Sequence, residues 1–375
     1  MVDMAAGSNS LTGTAVLVLG TRPEIVKLAP VARHLPDRVR VVHTGQHYDH
    51  DMSDIFFDEC ELRRPETTLA IGGKPRGAQI GLAVQALDEL FGAQRPAVVL
   101  VQGDTNSVVA GALAANAHDI PLIHVEAGLR SRDRRMPEEH NRIIADHLAT
   151  VLCAATELNV ENLRAEGIPA DRIALTGNTI VDAVNQALPT EGQRAKVLAE
   201  HGLQADRFVL ATIHRPENTD DPAILTTVIS ELAALATAGW PVLFPAHPRT
   251  RAALYAADCH HLLAGLIVTE PLGYAEFLAL AAEAALVVSD SGGVQEEVTV
   301  LKRPLIVVRR STERPEALRD FARLMPPGTP IADEALTMLA SASSELQRLS
   351  VLESPFGDAH AGAHIARIVE RFLRA

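Results

Sequence analysis

Aromatic residues make up only 3% of the 375 residues, with a single tryptophan. So little π surface argues against base-stacking platforms for nucleic acid. Cysteine is scarce as well: Cys60, Cys153 and Cys259 lie too far apart for metal-ligand spacing, and an odd number cannot pair fully. They read as buried, reduced thiols. Positive charge is in deficit, with 34 Lys and Arg against 47 Asp and Glu and a formal net charge of -13. Without a broad basic footprint, any anionic ligand needs a local group of donors, which favours a small phosphate compound. No apolar run approaches the roughly 20 residues of a membrane span, and the N-terminus lacks the basic and apolar regions of a signal peptide. The expectation is a soluble, cytoplasmic chain with no membrane or nucleic-acid partner.

What is present is hydrophobic material, 47% of the chain, and a length greater than one core usually serves. Short Val/Ile/Leu runs alternate with longer helical stretches, the pattern of parallel strands buried under helices on both faces. Strands are expected at residues 15–20, 39–44 and 97–102, with a helix over 23–35. The same grammar restarts at 208–212 and recurs at 242–246, 266–269, 286–289 and 304–308. The class is α/β with two similar sheet domains, and the polar stretch 189–206 is placed near the linker.

In open α/β sheets, ligands bind beyond the carboxyl ends of the strands. After the first strand comes Gly20-Thr21-Arg22-Pro23-Glu24, where Thr21 and Glu24 suit a capping box and Pro23 the first helical turn. Arg22 has no such structural duty, and beside a helix N-terminus it suits phosphate; a surface ion pair is the plainer alternative. A second phosphate signal is Ser291-Gly292-Gly293, where a strand end runs through paired glycines into a helix, with Glu297 one turn on as a ribose acceptor. Paired glycines also serve tight turns without any ligand. Neither a P-loop nor a GxGxxG fingerprint is present, which disfavours a kinase or an NAD dehydrogenase.

The catalytic candidates are carboxylates: Asp104 in QGDT, Glu126 in HVEAG and Glu138 in PEEHNR. Asp104 and Glu126 follow consecutive expected strands. Glu138 and Arg142, four apart, share a helix face, while Glu139 points elsewhere. Plainer roles are a helix cap for Asp104 and a surface ion pair for Glu138 with Arg142. Glu126 directly follows the apolar run 121–125, where an unpaired charge is costly. Two histidines, His214 and His247, follow further strands and suit a leaving phosphate, although a lone histidine is more often structural. With no HExxH or similar pair, no metal is expected.

These residues sit in a set of motifs, in order GTRPE, TGQH, QGDT, HVEAGLRS, PEExNR, GNT, HRxEN, HPR, DSGGVQEE and TERPE. In combination they resemble the non-hydrolysing UDP-N-acetylglucosamine 2-epimerase family from about residue 16 to 367. The resemblance implies a GT-B-like fold, two Rossmann-like domains facing a central cleft, here 1–188 and 189–362, with a C-terminal helix 363–375 returning to the first. It implies Asp104, Glu126 and Glu138 as catalytic carboxylates and His214 as partner of the leaving diphosphate. Arg22, Arg142, Ser291, Gly292 and Gly293 would hold phosphates, and Lys27 and Glu297 the uridine part. Gln46, His47, Arg215 and His247 match a regulatory pocket for a second substrate molecule. The implied reaction removes the C2 proton, expels UDP to leave 2-acetamidoglucal, and adds UDP back with the proton on the opposite face. No redox cofactor is required, and a homodimer is implied. Alternatives are a hydrolysing 2-epimerase, an epimerase of a related UDP-2-acetamido sugar, a GT-B glycosyltransferase and a nucleotide-sugar sensor without turnover.

Overall fold

The computed structural model describes residues 10–46 and 56–374, with the backbone of Asp3 and Met4. The chain forms two compact units: Met1–Asn185 with Phe356–Ala375, and Gln186–Pro355. The first division falls close to residue 188, and the return to the first unit begins at Phe356, ahead of 363.

In the first unit the strands are β1 (Asp3–Met4), β2 (Ala15–Leu19), β3 (Val39–His43), β4 (Thr67–Thr68), β5 (Val98–Gln102), β6 (Leu122–Ala127), β7 (Val151–Ala154) and β8 (Ile173–Leu175). They lie in the order β1-β4-β3-β2-β5-β6-β7-β8, parallel except for the β1–β4 pair. All five positions of β2 and of β5 are buried, so these central strands read as continuous apolar runs rather than alternating ones. The order places β5 and β6 side by side, with Asp104 just beyond the carboxyl end of β5 and Glu126 next to last within β6.

The second unit holds β9 (Val209–Thr212), β10 (Val242–Pro245), β11 (Ile267–Thr269), β12 (Leu286–Ser289), β13 (Leu305–Val308) and β14 (Ala322–Met325). Their order is β11-β10-β9-β12-β13-β14, all parallel. The reversal of chain direction across the sheet occurs between β9 and β12, so the loops after these two strands, bearing His214 and Ser291, leave neighbouring strand ends.

Two local features differ from the sequence reading. The stretch 189–206 is mostly a helix, Glu191–Glu200, opened by a capping box of Thr190 and Gln193. It is polar because it is a surface helix with one buried residue, Leu198, and Arg194 pins it to Glu283 at 2.6 Å. The C-terminal helix spans Ala361–Leu373 and packs on the helix Arg22–Arg33 through an apolar face that includes Ile365, Ile368 and Val369. Its first N–H groups are received by Asp182, from Gly362 at 3.0 Å and Ala361 at 3.3 Å. That carboxylate supplies the cap the helix lacks in its own sequence. No helix among the described residues is long and apolar enough to cross a membrane.

Candidate active site

Glu126 is tightly constrained by its surroundings. It lies at an irregularity between Val125 and Ala127, where the β6–β7 register shifts, with φ at 67°. A left-handed conformation at a non-glycine residue costs of order 1–3 kcal/mol and persists only where the surroundings enforce it. Here they do: the carboxylate is buried and forms an ion pair with the equally buried Lys27, and Gln102 Nε2 donates to the same oxygen at 3.0 Å. Asn178 approaches it as well, at 3.5 Å. The charge that sequence placed after an apolar run therefore has its cation, and Lys27 lies against Glu126.

Asp104 follows β5 and is half-buried. The helix Asn106–Ala117 is capped by Thr105 rather than by Asp104, leaving the aspartate side chain to Arg142, whose Nε donates to Oδ2 at 3.0 Å. Arg142 also donates from Nη1 to Glu139 Oε2 at 2.7 Å. This corrects the helix-face expectation: the residue paired with Arg142 is Glu139, three positions away, and not Glu138. Glu139 is held by the N–H groups of Ser131 at 2.9 Å and Arg132 at 2.8 Å, so a loop N-terminal to the helix sets its direction. Glu138, half-buried on the first turn of Pro137–Leu148, stands one residue from this pair. Among the described residues, the structure thus joins Asp104 to Arg142 and Glu126 to Lys27.

Glu24 was assigned a capping role, and the structure gives it a larger one. Its Oε2 accepts from Gly20 N at 2.9 Å and Thr21 Oγ1 at 2.8 Å, while Oε1 accepts from Thr105 Oγ1 at 2.8 Å. The capping box is not formed, since Thr21 makes no side-chain cap bond. Instead Glu24 ties the start of its own helix to the residue after Asp104. Complete burial pushes its carboxyl up to about 7, against the lowering effect of those hydrogen bonds. Arg22 stacks over Phe56, 4.2 Å from the ring centroid. Gln46 Oε1 accepts from Ser107 N and from Ser107 Oγ, each at 3.1 Å. His47 lies outside the described residues.

In the second unit the centre is Asp290, fully buried at the end of β12. It accepts from the N–H groups of His214 at 2.9 Å and Arg215 at 2.8 Å and from Asn218 Nδ2 at 3.0 Å, and His214 Nδ1 lies 3.0 Å from it. Burial raises this carboxyl, but His214 and the donated hydrogen bonds outweigh it and hold it below its ordinary range. Asp290 thus fixes the loop after β9 and orients the half-exposed His214 ring, which lies 6.1 Å from that of His247. His247 is exposed and caps its own helix by accepting from Arg249 N at 3.2 Å.

The helix Gly292–Leu301 begins beyond Ser291, whose hydroxyl makes no cap bond. The two glycines are not equivalent. A Cβ on Gly292 would meet Arg314 Nη1 at 2.8 Å and Glu313 Oε1 at 3.2 Å, whereas one on Gly293 would meet nothing within 4 Å. Packing of the TERPE segment therefore requires Gly292, and open space adjoins Gly293. Glu297 is buried on the same helix. Beside it, Arg314 Nε donates to Glu296 Oε1 at 2.6 Å, and Arg309 Nη1 lies 3.0 Å from Glu313 Oε2. No group of three or more His, Cys, Asp and Glu residues suited to a metal occurs among the described residues. The three cysteines are free and buried.

Sequence reasoning gave Glu24 only a capping role, set Glu139 aside, and missed a buried pair, His124 and Asp146. The available signal for His124 was its place inside the apolar run 121–125, because a ring buried there needs polar partners.

Comparison with known proteins places this geometry. The family model described as UDP-N-acetylglucosamine 2-epimerase matches residues 32–370. UDP-N-acetylglucosamine 2-epimerase of Methanococcus maripaludis is 38% identical over 363 residues, covering 94% of this chain and 97% of the relative. UDP-2,3-diacetamido-2,3-dideoxy-D-glucuronate 2-epimerase of Pseudomonas aeruginosa is 38% identical over 301 residues, 79% of this chain and 83% of the relative. The crystal structure of Methanocaldococcus jannaschii UDP-GlcNAc 2-epimerase in complex with UDP-GlcNAc and UDP superposes with a TM-score of 0.87 at 38% identity, covering 96% of this chain and 99% of that one. The α/β, GT-B-like class expected from the sequence is the class of these structures. On the extent of the family match and of the identity, the chain belongs to the UDP-N-acetylglucosamine 2-epimerase family.

Proposed function

We propose that the protein interconverts UDP-N-acetylglucosamine and UDP-N-acetylmannosamine by eliminating UDP to 2-acetamidoglucal and adding it back. The observation that carries this reading is Glu126, a buried carboxylate held in a left-handed backbone conformation at a strand end and clamped by Lys27 and Gln102. Proton removal from C2 needs a fixed base, and return from the opposite face needs a separate acid. Asp104, Glu126 and Glu138 supply three carboxyl groups in different settings: one bound to an arginine, one to a lysine, and one beside the Arg142–Glu139 pair. Carboxyl groups in such different settings suit separate acid and base roles.

The leaving diphosphate falls to the second unit. The uncapped first turn of Gly292–Leu301 offers N–H groups beside the open space at Gly293, and Asp290 orients His214 as a hydrogen-bond partner. Arg22 joins in phosphate binding, Glu297 receives the ribose, and Lys27 acts on Glu126 as well as toward the uridine. Arg142 reaches phosphate only by sharing its guanidinium with Asp104 and Glu139. Gln46, Arg215 and His247 are assigned to recognition of a second, regulatory substrate molecule. The exposed Leu82, Leu113 and Ile144, on three helices packed in succession, support a homodimer.

The Pseudomonas relative favours a second reading, in which the substrate is another UDP-2-acetamido sugar. Incubation of the purified protein with UDP-N-acetylglucosamine, followed by proton NMR, separates the cases. A mixture of two UDP-linked epimers supports the proposal. Stoichiometric UDP and free N-acetylmannosamine shows hydrolysis, and no change, with turnover of a diacetamido analogue, shows the second substrate.

A further inference from the structure

Two residues before Glu126, the His124 ring lies wholly buried in β6 with both nitrogens engaged. Nδ1 is 2.6 Å from Asp146 Oδ1, and Nε2 is 2.8 Å from the backbone carbonyl of Gly103. A carbonyl only accepts, so Nε2 carries a proton. Asp146 also behaves as an acceptor: its Oδ2 receives Arg130 Nη2 at 2.7 Å and Gly128 N at 3.2 Å, donors that favour a carboxylate. A carboxylate facing Nδ1 and a carbonyl facing Nε2 suit a ring that carries both protons.

Its two partners, Gly103 and Asp146, connect it to the chain beside Asp104 and Glu126. Gly103 immediately precedes Asp104, and its own N–H is bound to Val125 O at 3.0 Å, so β6 grips the peptide before Asp104 from both sides. Gly128 follows the Glu126 irregularity at φ 85°, where a Cβ would lie 2.5 Å from Asn159 O. Its N–H is bound by Asp146. One buried pair thus reaches the chain just before Asp104 and just after Glu126.

We infer that His124, held doubly protonated by Asp146, is a positioning residue that sets the separation of the Asp104 and Glu126 carboxylates. This rests on the reading of those two as catalytic. The charged groups around the ring all favour that state or are balanced. Asp146 comes from the helix Pro137–Leu148. Arg130, from the loop after β6, opposes the ring's charge but is itself bound by Asp146 and by Glu166 at 2.7 Å, and His147 lies 3.8 Å from Glu166. Burial alone would push the ring below its ordinary 6.5, but the Asp146 carboxylate and the Gly103 carbonyl outweigh it and hold it above that value. A neutral ring would give Gly103 only by turning Nδ1 into an acceptor facing a carboxylate, so loss of the proton forces a rearrangement of one loop or the other.

The test combines a spectrum and kinetics. In protein labelled with nitrogen-15 histidine, the His124 signals, assigned by their loss in His124→Gln or His124→Asn, are expected to show the imidazolium pattern at neutral pH, where an ordinary histidine is largely neutral. His124→Gln and Asp146→Asn are expected to lower kcat about a hundredfold, as misplacement of order 1 Å does, with KM within about threefold. A ring that is neutral near neutral pH overturns the inference, and so does a wild-type kcat in either folded variant. If Asp104→Asn and Glu126→Gln also keep full turnover, the catalytic reading itself fails. If those two are inactive while the His124 and Asp146 variants are not, only the positioning role is lost.

Discussion

Arg142 and Asp104, 38 residues apart in sequence, are joined by two donors on one carboxylate oxygen, with Nε at 3.0 Å. The arginine is buried and the aspartate half-exposed, so the pair holds the carboxylate proposed as catalytic on a buried support. Asp104→Asn, Glu126→Gln and Glu138→Gln are each expected to lower turnover about a hundredfold or more while UDP affinity is largely kept, since positioned acid-base groups contribute on that scale. Steady-state kinetics with nucleotide calorimetry check this. Near-normal turnover in one variant removes that residue from the catalytic set.

The Lys27–Glu126 pair is buried on both sides, and removing one partner leaves the other's charge without this ion pair. Lys27→Met is expected to destabilise the protein by about 3–5 kcal/mol, and the double variant with Glu126→Gln to recover most of that loss. Denaturant unfolding of the four proteins in the cycle measures the coupling. Additive losses would show that the two side chains do not depend on each other.

These features were unequally legible in the sequence. The expected strand 286–289 coincides with β12, and 97–102 exceeds β5 by one residue, because buried parallel strands are apolar runs that end abruptly at polar clusters. Candidate site residues could be named at strand ends for the same reason. The partner of Arg142 was not, since helical geometry allows positions three and four apart equally. The choice of Glu139 is made by the Ser131 and Arg132 amides, which belong to a loop. Helix Glu191–Glu200 escaped because one buried residue, Leu198, makes no period.

Glu24 gives a pH dependence with a definite sign. Its carboxyl rises from 4.5 to about 7 on folding, so the folded state keeps a proton that the unfolded chain has lost. The stabilisation it brings is full below about 4.5 and is lost as pH climbs to about 7, roughly 3 kcal/mol in total at 1.36 kcal/mol per unit. Glu24→Gln removes this slope. Its stability relative to wild type is therefore expected to increase between these limits, measured by urea unfolding, and a constant difference would contradict it.

Gly292 and Gly293 separate packing from ligand approach. Gly292→Ala drives a methyl group into Arg314 and Glu313 and is expected to lower stability. Gly293→Ala enters open space and is expected to stay within about 0.5 kcal/mol of wild type. Its UDP affinity should nevertheless fall about tenfold, because the added methyl group obstructs approach of a diphosphate to the helix start. Unchanged affinity by calorimetry would move the diphosphate elsewhere.

Elimination and re-addition require the C2 proton to leave the sugar and reach a carboxylate that exchanges with solvent. Running the reaction in heavy water and recording the proton NMR spectrum of the recovered sugars tests that step directly. Deuterium at C2 of both UDP-linked epimers, with only traces of free UDP, is the expected result. Epimer formed with its C2 proton intact would contradict the mechanism.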